Sequence, residues 1–374
     1  MKKKICITLG TRPEIIRLAT IINELRRDQT IDFKLVYTGQ HYDLLMNYIF
    51  FKELGILPPD IDLKIGSGTH AEQTAGIMTN VEKYFKSYEP DMVAVFGDTN
   101  SSLAVSITAV KMKIPLAHLE AGCREWEMDI PEEVNRRLID HCSNVLIAVS
   151  KNCAENLKKE KVLGDIYNCG DPLFDIFKTV YQKNKHSKNL NDLGVIKNEY
   201  VFLTVHRDKN VDDLKKLKQI MDALVLIQLP VIFPVHPRTK KQLGLLNYPK
   251  SKIRNIVFLD PFGYQDTIYF LRNAKLAITD SGGLQKEAFW CKTPCITIRD
   301  HTCWSETVDL GGNFLAKVDK DLIIKQISFI LKNEKRIVKK IQKAKNPYSK
   351  PEITKNTVKI IKKYASKSWV VNRK

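Results

Sequence analysis

Short apolar runs alternate with helical stretches along the whole chain, and this alternation limits the possible folds more than any other feature. In the first half the apolar runs are KICITLG, FKLVYTG, DMVAVFGD, IPLAHLE and NVLIAVS. Between them lie stretches with helical periodicity, such as RPEIIRLATIINELRRD and PEEVNRRLIDHC. Continuous apolar strands separated by helices are typical of a parallel sheet that is covered on both faces. The pattern therefore predicts an α/β fold.

The alternation restarts in the second half, after a Lys/Asn/Asp-rich stretch near residues 183–198. The new apolar runs are YVFLTVH, LPVIFPVH, IRNIVFLD, KLAITDSG and TPCITIRD. A chain of 374 residues is also too long for one ordinary core. We therefore predict two doubly wound Rossmann-like domains, at residues 1–175 and 190–350. Ligands of such sheets bind at the carboxyl ends of the strands, and we expect the active site in the interdomain cleft.

Composition excludes several classes of protein. With 44% hydrophobic and 27% charged residues, the chain is neither disordered nor fibrous. Its apolar runs are too short to span a bilayer, and the start MKKKICITLG predicts a first strand rather than a signal peptide. We therefore expect a cytoplasmic protein without stable membrane insertion. The eight cysteines form no C-x-x-C pair and lack a His at zinc-ligand spacing, so we predict reduced thiols and no metal.

The net charge of +18 is carried entirely by the second part of the chain. Residues 1–150 hold 17 Lys and Arg against 20 Asp and Glu, whereas residues 331–374 hold 15 against 2. One interpretation is a basic polyanion-binding protein. The lysines lie singly and in pairs on helical stretches without interleaved aromatic residues, which favours a solvated helix surface. We therefore expect no nucleic-acid partner.

Residues with chemical potential lie directly after the predicted strands. The segments are GTRPE (10–14), GDT (97–99), HLEAG (118–122), HR (206–207), HPR (236–238) and TDSGGLQKE (279–287). No G-x-G-x-x-G and no Walker motif occurs in the sequence. The sequence therefore does not predict a bound NAD or an ATP-hydrolysing site.

The segment Ser281-Gly282-Gly283 ends a predicted strand and opens a helix. Free main-chain N–H groups at a helix start, next to glycines, admit an anion closely, so a diphosphate would fit there. The alternative is that the segment only caps the helix. Glu287 follows on the second turn of this helix, where its carboxylate could accept hydrogen bonds from ribose hydroxyls.

Three basic side chains are further candidates. Arg12 and Arg17 follow the first strand, and Arg12, beside a strand-ending glycine, suits a bidentate phosphate contact. Either arginine could instead be surface charge. His206 ends the first strand of the second domain, where a catalytic role and a structural role both remain open.

Taken together, the motifs resemble those of the non-hydrolysing UDP-N-acetylglucosamine 2-epimerases. GTRPE, TGQH, FGDT, HLEAG with PEE-x-NR, TVHR, PVHP and TDSGG-x-Q-x-EA occur in this order along nearly the whole chain. The resemblance implies the glycosyltransferase-B fold, a homodimer, and a reaction that uses neither metal nor nicotinamide. It also implies a C-terminal helix near residues 351–367 that joins the first domain, and a UDP-binding second domain.

The family's reaction explains a need for several carboxylates. Departure of UDP from C1 of the sugar acidifies the C2 proton, and anti elimination then gives 2-acetamidoglucal. Protonation of C2 from the other face and re-addition of UDP yield UDP-N-acetylmannosamine, a unit for surface polysaccharide. Carboxylates stabilise the positive charge and move protons, while cations and N–H groups hold the diphosphate.

The resemblance assigns roles residue by residue. Asp98, Glu120 and Glu132 match the family's catalytic carboxylates, and which of them is acid or base stays open. His206 matches a motif histidine near the phosphates. The implied substrate-binding residues are Arg12, Arg17, Phe262, Ser281, Gly282, Gly283 and Glu287, with Phe262 near the uracil.

Three departures from the family pattern leave alternatives open. Arg17 replaces a common Lys, Trp304 replaces the Arg of bacterial members, and Asp43 replaces the Gln of allosterically activated enzymes. A Trp at the Trp304 position also occurs in relatives that epimerise UDP-2,3-diacetamido-2,3-dideoxyglucuronate. A glycosyltransferase-B type transferase would keep SGG and Glu287 but would not need Glu120 and Glu132 together.

The stretch EAGCREWEMDIPEE at 120–133 contains six acidic residues. Glu120 and Glu132 are the two with predicted roles in catalysis. Glu132 also starts a helix, where a carboxylate is favourable in its own right. We expect the loop residues Glu125, Glu127 and Asp129 to lie in solvent. Glu133 is expected to support either the site or only the helix start.

Overall fold

The computed structural model describes residues 2–39, 50–246, 248 and 253–365. Its internal contacts divide the chain into two compact units. Unit 1 comprises residues 1–179 and 347–374, and unit 2 comprises residues 180–346. Asp43, which bears on allosteric activation, lies outside the described residues, and of Arg12 only the main chain is described.

Unit 1 is built on a seven-stranded parallel sheet with the strand order β3-β2-β1-β4-β5-β6-β7. The strands are β1 Lys3–Leu9, β2 Ile31–Tyr37, β3 Ile61–Asp62, β4 Met92–Phe96, β5 Leu116–Ala121, β6 Val145–Ala148 and β7 Asp165–Asn168. The central strands are buried along their length, as expected of a sheet covered by helices on both faces.

Unit 2 contains a six-stranded parallel sheet with the order β10-β9-β8-β11-β12-β13. The strands are β8 Val201–Thr204, β9 Val231–Pro234, β10 Ile256–Leu259, β11 Leu276–Thr279, β12 Cys295–Thr297 and β13 Asn313–Leu315. Both sheets reverse their strand order once, between β1 and β4 in unit 1 and between β8 and β11 in unit 2. The structure thus confirms the predicted α/β fold with two doubly wound parallel sheets.

Helices connect the strands of both sheets. They are α1 Arg12–Arg27, α2 His70–Tyr88, α3 Asn100–Lys111, α4 Pro131–Cys142, α5 Lys151–Lys159, α6 Pro172–Lys183, α7 Asp208–Val211, α8 Leu214–Leu224, α9 Pro237–Leu246, α10 Tyr264–Asn273, α11 Gly282–Cys291, α12 Ser305–Asp309, α13 Lys320–Lys343 and α14 Ile353–Tyr364. Residues 50–54 are also helical, and Asn191–Leu193 form a 3-10 turn. In the part of the chain that is described, no helix combines the length and the apolar character needed to cross a membrane.

The last described helix, α14, belongs to unit 1 and packs against α1. An ion pair joins Lys362 of α14 to Asp28, which follows α1. At the other end of α14, the Thr354 hydroxyl donates to Asp175 at 2.8 Å. The chain therefore returns to its first unit after completing the second sheet.

Candidate functional site

Several of the predicted site residues lie at the points where each sheet reverses its strand order. In unit 1 the segment 10–14 follows β1 and Asp98 follows β4, the two strands on either side of the reversal. In unit 2, His206 follows β8 and the segment 280–283 follows β11. Loops diverge at such a point and leave a crevice for a ligand at the carboxyl edge of the sheet. Each unit therefore presents one candidate group of residues.

An irregularity of β5 directs the side chain of Glu120. The pairing of β5 with β6 shifts register between Leu119 and Ala121, and Glu120 itself has φ +70°. Such a left-handed backbone is uncommon outside glycine, and a bulge of this kind re-aims a side chain at a strand end. Gly97 at the end of β4 has φ +66°, and a Cβ there would lie 3.6 Å from Glu120 Oε2. A Cβ would make an ordinary contact at that distance, so the left-handed backbone rather than a lack of space favours glycine here.

Glu120 is paired with Arg17 of α1. The Arg17 Nη1 donates to Glu120 Oε2 at 2.6 Å, and only 6% of the Glu120 side chain is exposed. The guanidinium also lies 5.6 Å from the ring centroid of Phe96. Arg17 was predicted to bind substrate, and in this structure it contacts a predicted catalytic carboxylate. A guanidinium so close to a buried carboxylate stabilises its negative charge.

Asp98 is held from two sides by α4. Arg136 contacts Asp98 Oδ2 through Nη2 at 2.6 Å and through Nε at 2.8 Å. The Asn135 side chain donates to the Asp98 carbonyl at 2.9 Å. The Asp98 side chain nevertheless keeps 30% of its surface exposed. Contacts from α4 thus hold both the main chain and the carboxylate of Asp98, and part of the carboxylate remains exposed to solvent.

Glu132 differs from the other two candidate carboxylates because it is exposed on the first turn of α4. Within the described residues its side chain makes no hydrogen bond or ion pair. The first turn of a helix stabilises negative charge, so this position suits a carboxylate with or without a catalytic role. The three predicted carboxylates therefore comprise two arginine-paired groups and one solvent-facing group.

The expectation that Glu125 lies in solvent is wrong. Glu125 is only 4% exposed, and its main-chain N–H donates to Glu133 Oε2 at 3.0 Å. Glu133, which is fully buried, also accepts from Arg136 Nη1 at 3.0 Å. Asp129 is exposed as predicted, and the neighbouring Trp126 is 57% exposed. Sequence alone missed this burial because an acidic loop carries no signal for the arginines that face it.

The turn after β1 is closed by its own carboxylate. Glu14 Oε2 accepts from the N–H groups of Gly10 at 2.5 Å and Thr11 at 2.9 Å, and Oε1 accepts from Thr99 at 2.9 Å. Burial raises the pKa of Glu14 to about 7. This arrangement forms a capping box at the start of α1 and uses the main-chain donors of the turn internally.

The glycine turn after β11 in unit 2 leaves its main-chain donors available. Ser281 is the N-cap of α11, and its hydroxyl accepts from Leu284 N at 3.5 Å. Among the described residues, the N–H groups of Gly282 and Gly283 have no hydrogen-bond acceptor. Two free N–H groups at the start of a ten-residue helix form a favourable position for an anion.

His206 lies beside the same turn and is linked to it by Asp280. The buried Asp280 carboxylate accepts from the main-chain N–H of His206 at 3.1 Å and of Arg207 at 2.9 Å. The His206 Nδ1 lies 3.5 Å from Asp280 Oδ1, and 41% of the His206 side chain is exposed. Asp280 thus fixes the loop after β8 while the imidazole faces outward.

The remaining predicted residues of unit 2 are buried. Glu287 is 6% exposed on α11. The Phe262 ring is 9% exposed and packs between the rings of Phe202 and Phe270, with centroids 6.3 Å and 4.8 Å away. The structure therefore gives the Phe262 side chain a core contact.

Trp304, which departs from the family pattern, lies beside the glycine turn. A Cβ on Gly282 would lie 3.3 Å from Trp304 Nε1. The Lys286 ammonium sits over the Trp304 ring, 3.5 Å from its centroid, and both residues are buried. This distance is that of a close cation–π contact. Substituting Trp304 therefore changes the surroundings of a buried cation as well as the shape of the turn.

Sequence reasoning did not identify the residues that bind the candidate site residues and fix their positions. Arg136 binds Asp98, and Asp280 binds the His206 loop. Each lies inside a quoted motif, Arg136 in PEEVNR and Asp280 in TDSGG. For Arg136 a signal existed, because its position four residues after Glu132 places both on one helix face. For Asp280 no local signal distinguishes a loop-fixing carboxylate from a ligand.

Comparisons with known proteins agree on one family. The family model for UDP-N-acetylglucosamine 2-epimerase matches residues 23–362. A Methanococcus maripaludis protein named UDP-N-acetylglucosamine 2-epimerase homolog is 41% identical over 329 residues, covering 87% of this chain and 92% of that protein. A Pseudomonas aeruginosa UDP-2,3-diacetamido-2,3-dideoxy-D-glucuronate 2-epimerase is 37% identical over 328 residues, covering 86% and 90%.

A solved structure gives the same result for the fold. The crystal structure of Methanocaldococcus jannaschii UDP-GlcNAc 2-epimerase in complex with UDP-GlcNAc and UDP superposes with a TM-score of 0.87. The two chains are 37% identical, and the match covers 97% of this chain and 100% of the other. The likeness therefore extends through both units.

Proposed function

The chain belongs to the UDP-N-acetylglucosamine 2-epimerase family and is an isomerase, and we propose that it interconverts UDP-N-acetylglucosamine and UDP-N-acetylmannosamine without net hydrolysis. The observation that carries this proposal is the group of carboxylates at the carboxyl edge of the unit 1 sheet, two of them paired with arginines. Family membership favours this reaction over the transferase and over the polyanion-binding protein.

The proposed reaction proceeds by anti elimination and re-addition of UDP. The C1–O bond to UDP breaks, a base removes the C2 proton, and the electrons of the C–H bond form the double bond of 2-acetamidoglucal. A proton then returns to C2 from the opposite face, and UDP adds again to C1. Atoms and charge balance over the cycle, because the proton removed and the UDP released are both returned.

The unit 1 carboxylates suit the sugar end of this reaction. Asp98 and Glu120 carry negative charge that Arg136 and Arg17 stabilise, so they can accept a proton or face positive charge at C1. Glu132 is exposed to solvent, which suits a group that returns a proton to C2. These roles are part of the proposal.

The unit 2 residues suit the nucleotide end. The free N–H groups of Gly282 and Gly283 would hold the departing diphosphate, with Ser281 as a further donor and His206 near the phosphates. Arg12, which belongs to unit 1, is proposed as a further phosphate ligand. Glu287 would accept hydrogen bonds from the ribose hydroxyls. Phe262 is proposed near the uracil, with its ring held by core packing.

A second candidate substrate is UDP-2,3-diacetamido-2,3-dideoxyglucuronate. The Pseudomonas aeruginosa relative named for this substrate is 37% identical to the chain. The buried Lys286 beside Trp304 and the glycine turn is the structural observation that favours it, because a buried ammonium favours an anionic sugar. The elimination chemistry would be the same for both substrates.

The resemblance also supports a cytoplasmic homodimer that supplies N-acetylmannosamine-type units for polysaccharide assembly. Light scattering of the purified protein tests the dimer. A mass equal to one chain of 42.9 kDa at working concentrations would rule the dimer out.

Product analysis in deuterated water tests the function. The protein is incubated with UDP-N-acetylglucosamine and, separately, with the diacetamidoglucuronate analogue, and the products are followed by NMR. We expect the 2-epimer to form with deuterium at C2. The values of kcat/KM for the two sugars identify the better substrate.

Two controls sharpen this test. The Glu120→Gln variant should neither epimerise the sugar nor exchange the C2 proton. Free UDP should not accumulate with the wild-type protein beyond traces of released intermediate. If neither sugar gains deuterium at C2, the proposed reaction is wrong.

A further inference from the structure

A buried cluster in unit 1 lies directly behind the proposed catalytic carboxylates. His118 of β5 and Asp140 of α4 are both fully buried, and His118 Nδ1 lies 2.6 Å from Asp140 Oδ1. The other ring nitrogen, Nε2, lies 2.8 Å from the carbonyl oxygen of Gly97. Gly97 immediately precedes Asp98, and His118 is two residues before Glu120. The cluster therefore joins the main chains that carry both carboxylates.

Asp140 has further partners on the loop after β5. Its Oδ2 accepts from the N–H of Gly122 at 3.1 Å and from Arg124 Nη2 at 2.7 Å. The same guanidinium is held by Glu160 at 2.7 Å. Burial acts to raise the pKa of Asp140, but the facing His118 and Arg124 lower it below its usual value. Asp140 is thus an ionised, fully hydrogen-bonded carboxylate at the centre of the cluster.

The partners of His118 determine the direction of its two hydrogen bonds. A main-chain carbonyl only accepts hydrogen bonds, and so does an ionised carboxylate. Since Nε2 faces a carbonyl and Nδ1 faces the Asp140 carboxylate, both ring nitrogens must donate. His118 therefore ties the end of β4 to α4 through one hydrogen bond from each ring nitrogen.

One helix thereby contacts all three candidate carboxylates or their main chains. Glu132 lies on the first turn of α4, Arg136 one turn later binds Asp98, and Asp140 one further turn on holds the main chain around Glu120. The spacing of four residues places these three side chains along one side of the helix. A shift of α4 would therefore move the three groups relative to one another.

We propose that His118 and Asp140 are positioning residues of the epimerase, which align Asp98 with Glu120 by fixing the Gly97 carbonyl and the Gly122 N–H. This inference rests on the proposed function. A merely structural pair would affect stability alone. A positioning pair affects the chemical step, because displacement of a catalytic group by about 1 Å can lower the rate by about 10²-fold.

Two amide substitutions of His118 separate its two hydrogen bonds. In His118→Gln the side-chain nitrogen reaches the place of Nε2 and can still donate to the Gly97 carbonyl. In His118→Asn it reaches the place of Nδ1 and can still donate to Asp140. We expect kcat to fall about 10²-fold in His118→Asn and by less than about 10-fold in His118→Gln. In both, KM and the affinity for UDP should stay within about 2-fold.

Matched measurements identify the cause of any loss. Unfolding of each variant in urea gives its stability, and rates are compared at a temperature where every variant is folded. The control is His186→Asn in unit 2, where the ring stacks on Tyr269 and Nδ1 lies 3.0 Å from the Lys188 carbonyl. The control should keep the wild-type kcat. Equal values of kcat for His118→Gln and His118→Asn, or a fall in kcat that follows stability alone, would overturn the proposal.

Nitrogen-15 NMR of the wild-type protein provides a test that does not depend on how the variants fold. With labelled histidine, the His118 ring should give two N–H signals, both protected from exchange with water. A ring with a single N–H would contradict the arrangement. Deuterium exchange at C2 by the wild-type protein is recorded in parallel. Its absence would refute the proposed reaction, whereas normal exchange with unchanged kcat in His118→Asn would refute only the positioning role.

Discussion

The glycine turn after β1 in unit 1 and the glycine turn after β11 in unit 2 each follow a strand that borders the reversal of strand order in its sheet, yet their N–H groups have different acceptors. In unit 1 the Glu14 carboxylate accepts from Gly10 and Thr11. In unit 2 no described residue accepts from Gly282 or Gly283. The difference separates two tasks. The first turn satisfies its own donors beside the proposed catalytic carboxylates, whereas the second leaves main-chain donors available for the proposed diphosphate site.

The largest expected effect comes from the side-chain chemistry of unit 1. Replacing Glu120 by Gln keeps its size but removes the negative charge that the proposed reaction needs beside the sugar, so we expect kcat to fall by about 10³-fold or more. Affinity for UDP should change less than about 2-fold, because Glu120 is not among the proposed ligands of the diphosphate. NMR assays and calorimetry with UDP give the two values. Normal turnover of Glu120→Gln would contradict a catalytic role for the unit 1 carboxylates. The control is Glu82→Gln on α2.

The next effect concerns the turn after β1, where Glu14 should make the stability of the protein depend on pH. Burial raises the pKa of Glu14 from 4.5 in the unfolded chain to about 7 in the folded protein. Below pH 4.5 the group is protonated in both states. Between pH 4.5 and 7 the unfolded state loses its proton first, so folding becomes less favourable as pH rises. The loss approaches a limit above pH 7.

Urea unfolding of the wild type and Glu14→Gln across this range measures the effect. Relative to the variant, the wild type should lose up to about 3 kcal/mol between pH 4.5 and 7.5. Ser281→Ala, at the turn after β11, is the matched control. It should lower stability by about 1 kcal/mol at every pH, since a hydroxyl cap does not titrate. If the free energies of unfolding of wild type and Glu14→Gln changed with pH in parallel, the raised pKa of Glu14 would be contradicted.

A smaller effect is expected from the binding residues of unit 2. Glu287→Ala removes the proposed acceptor for the ribose hydroxyls, so UDP should bind about 10-fold more weakly. The value of kcat at saturating substrate should change by less than about 3-fold. Calorimetry with UDP and steady-state kinetics test both statements, with Asp321→Ala on α13 as control. A large loss of kcat without weaker UDP binding would remove the distinction between the two regions.

The smallest effect should be confined to stability. The hydrogen bond from Lys362 is the main cause that lowers the pKa of Asp28 to about 2 from 3.8. This contribution is complete above pH 3.8 and is lost as pH falls towards 2. Because the pair is partly exposed, Lys362→Met should cost only about 0.5–1 kcal/mol at pH 7. Lys355→Met, which removes an exposed pair with Glu352, should cost less, and neither variant should alter turnover.

Periodicity and order of motifs predict much of this protein without coordinates. Alternating apolar and helical stretches are sufficient for two parallel sheets, because only burial on both faces tolerates strands as apolar as MVAVF. The sequence also places Asp98, Glu120, His206 and the SGG turn at the ends of predicted strands, and ligands of such sheets bind at the carboxyl ends of the strands. Pro13 and Glu14 in the first turn of α1 are also local features of the sequence, and both residue types favour a helix start.

Only the tertiary structure decides which groups hold one another. Glu125 is buried because Glu133 and Arg136 of α4 face its loop, and acidic sequence alone indicates solvent. The pairing of Arg17 with Glu120 depends on a register shift in β5. These contacts join residues up to 103 positions apart, so their energies arise from the packing of α1 and α4 on one sheet. Sequence periodicity reports which face is buried, but the partner that faces each charge is fixed only when the sheet and helices assemble.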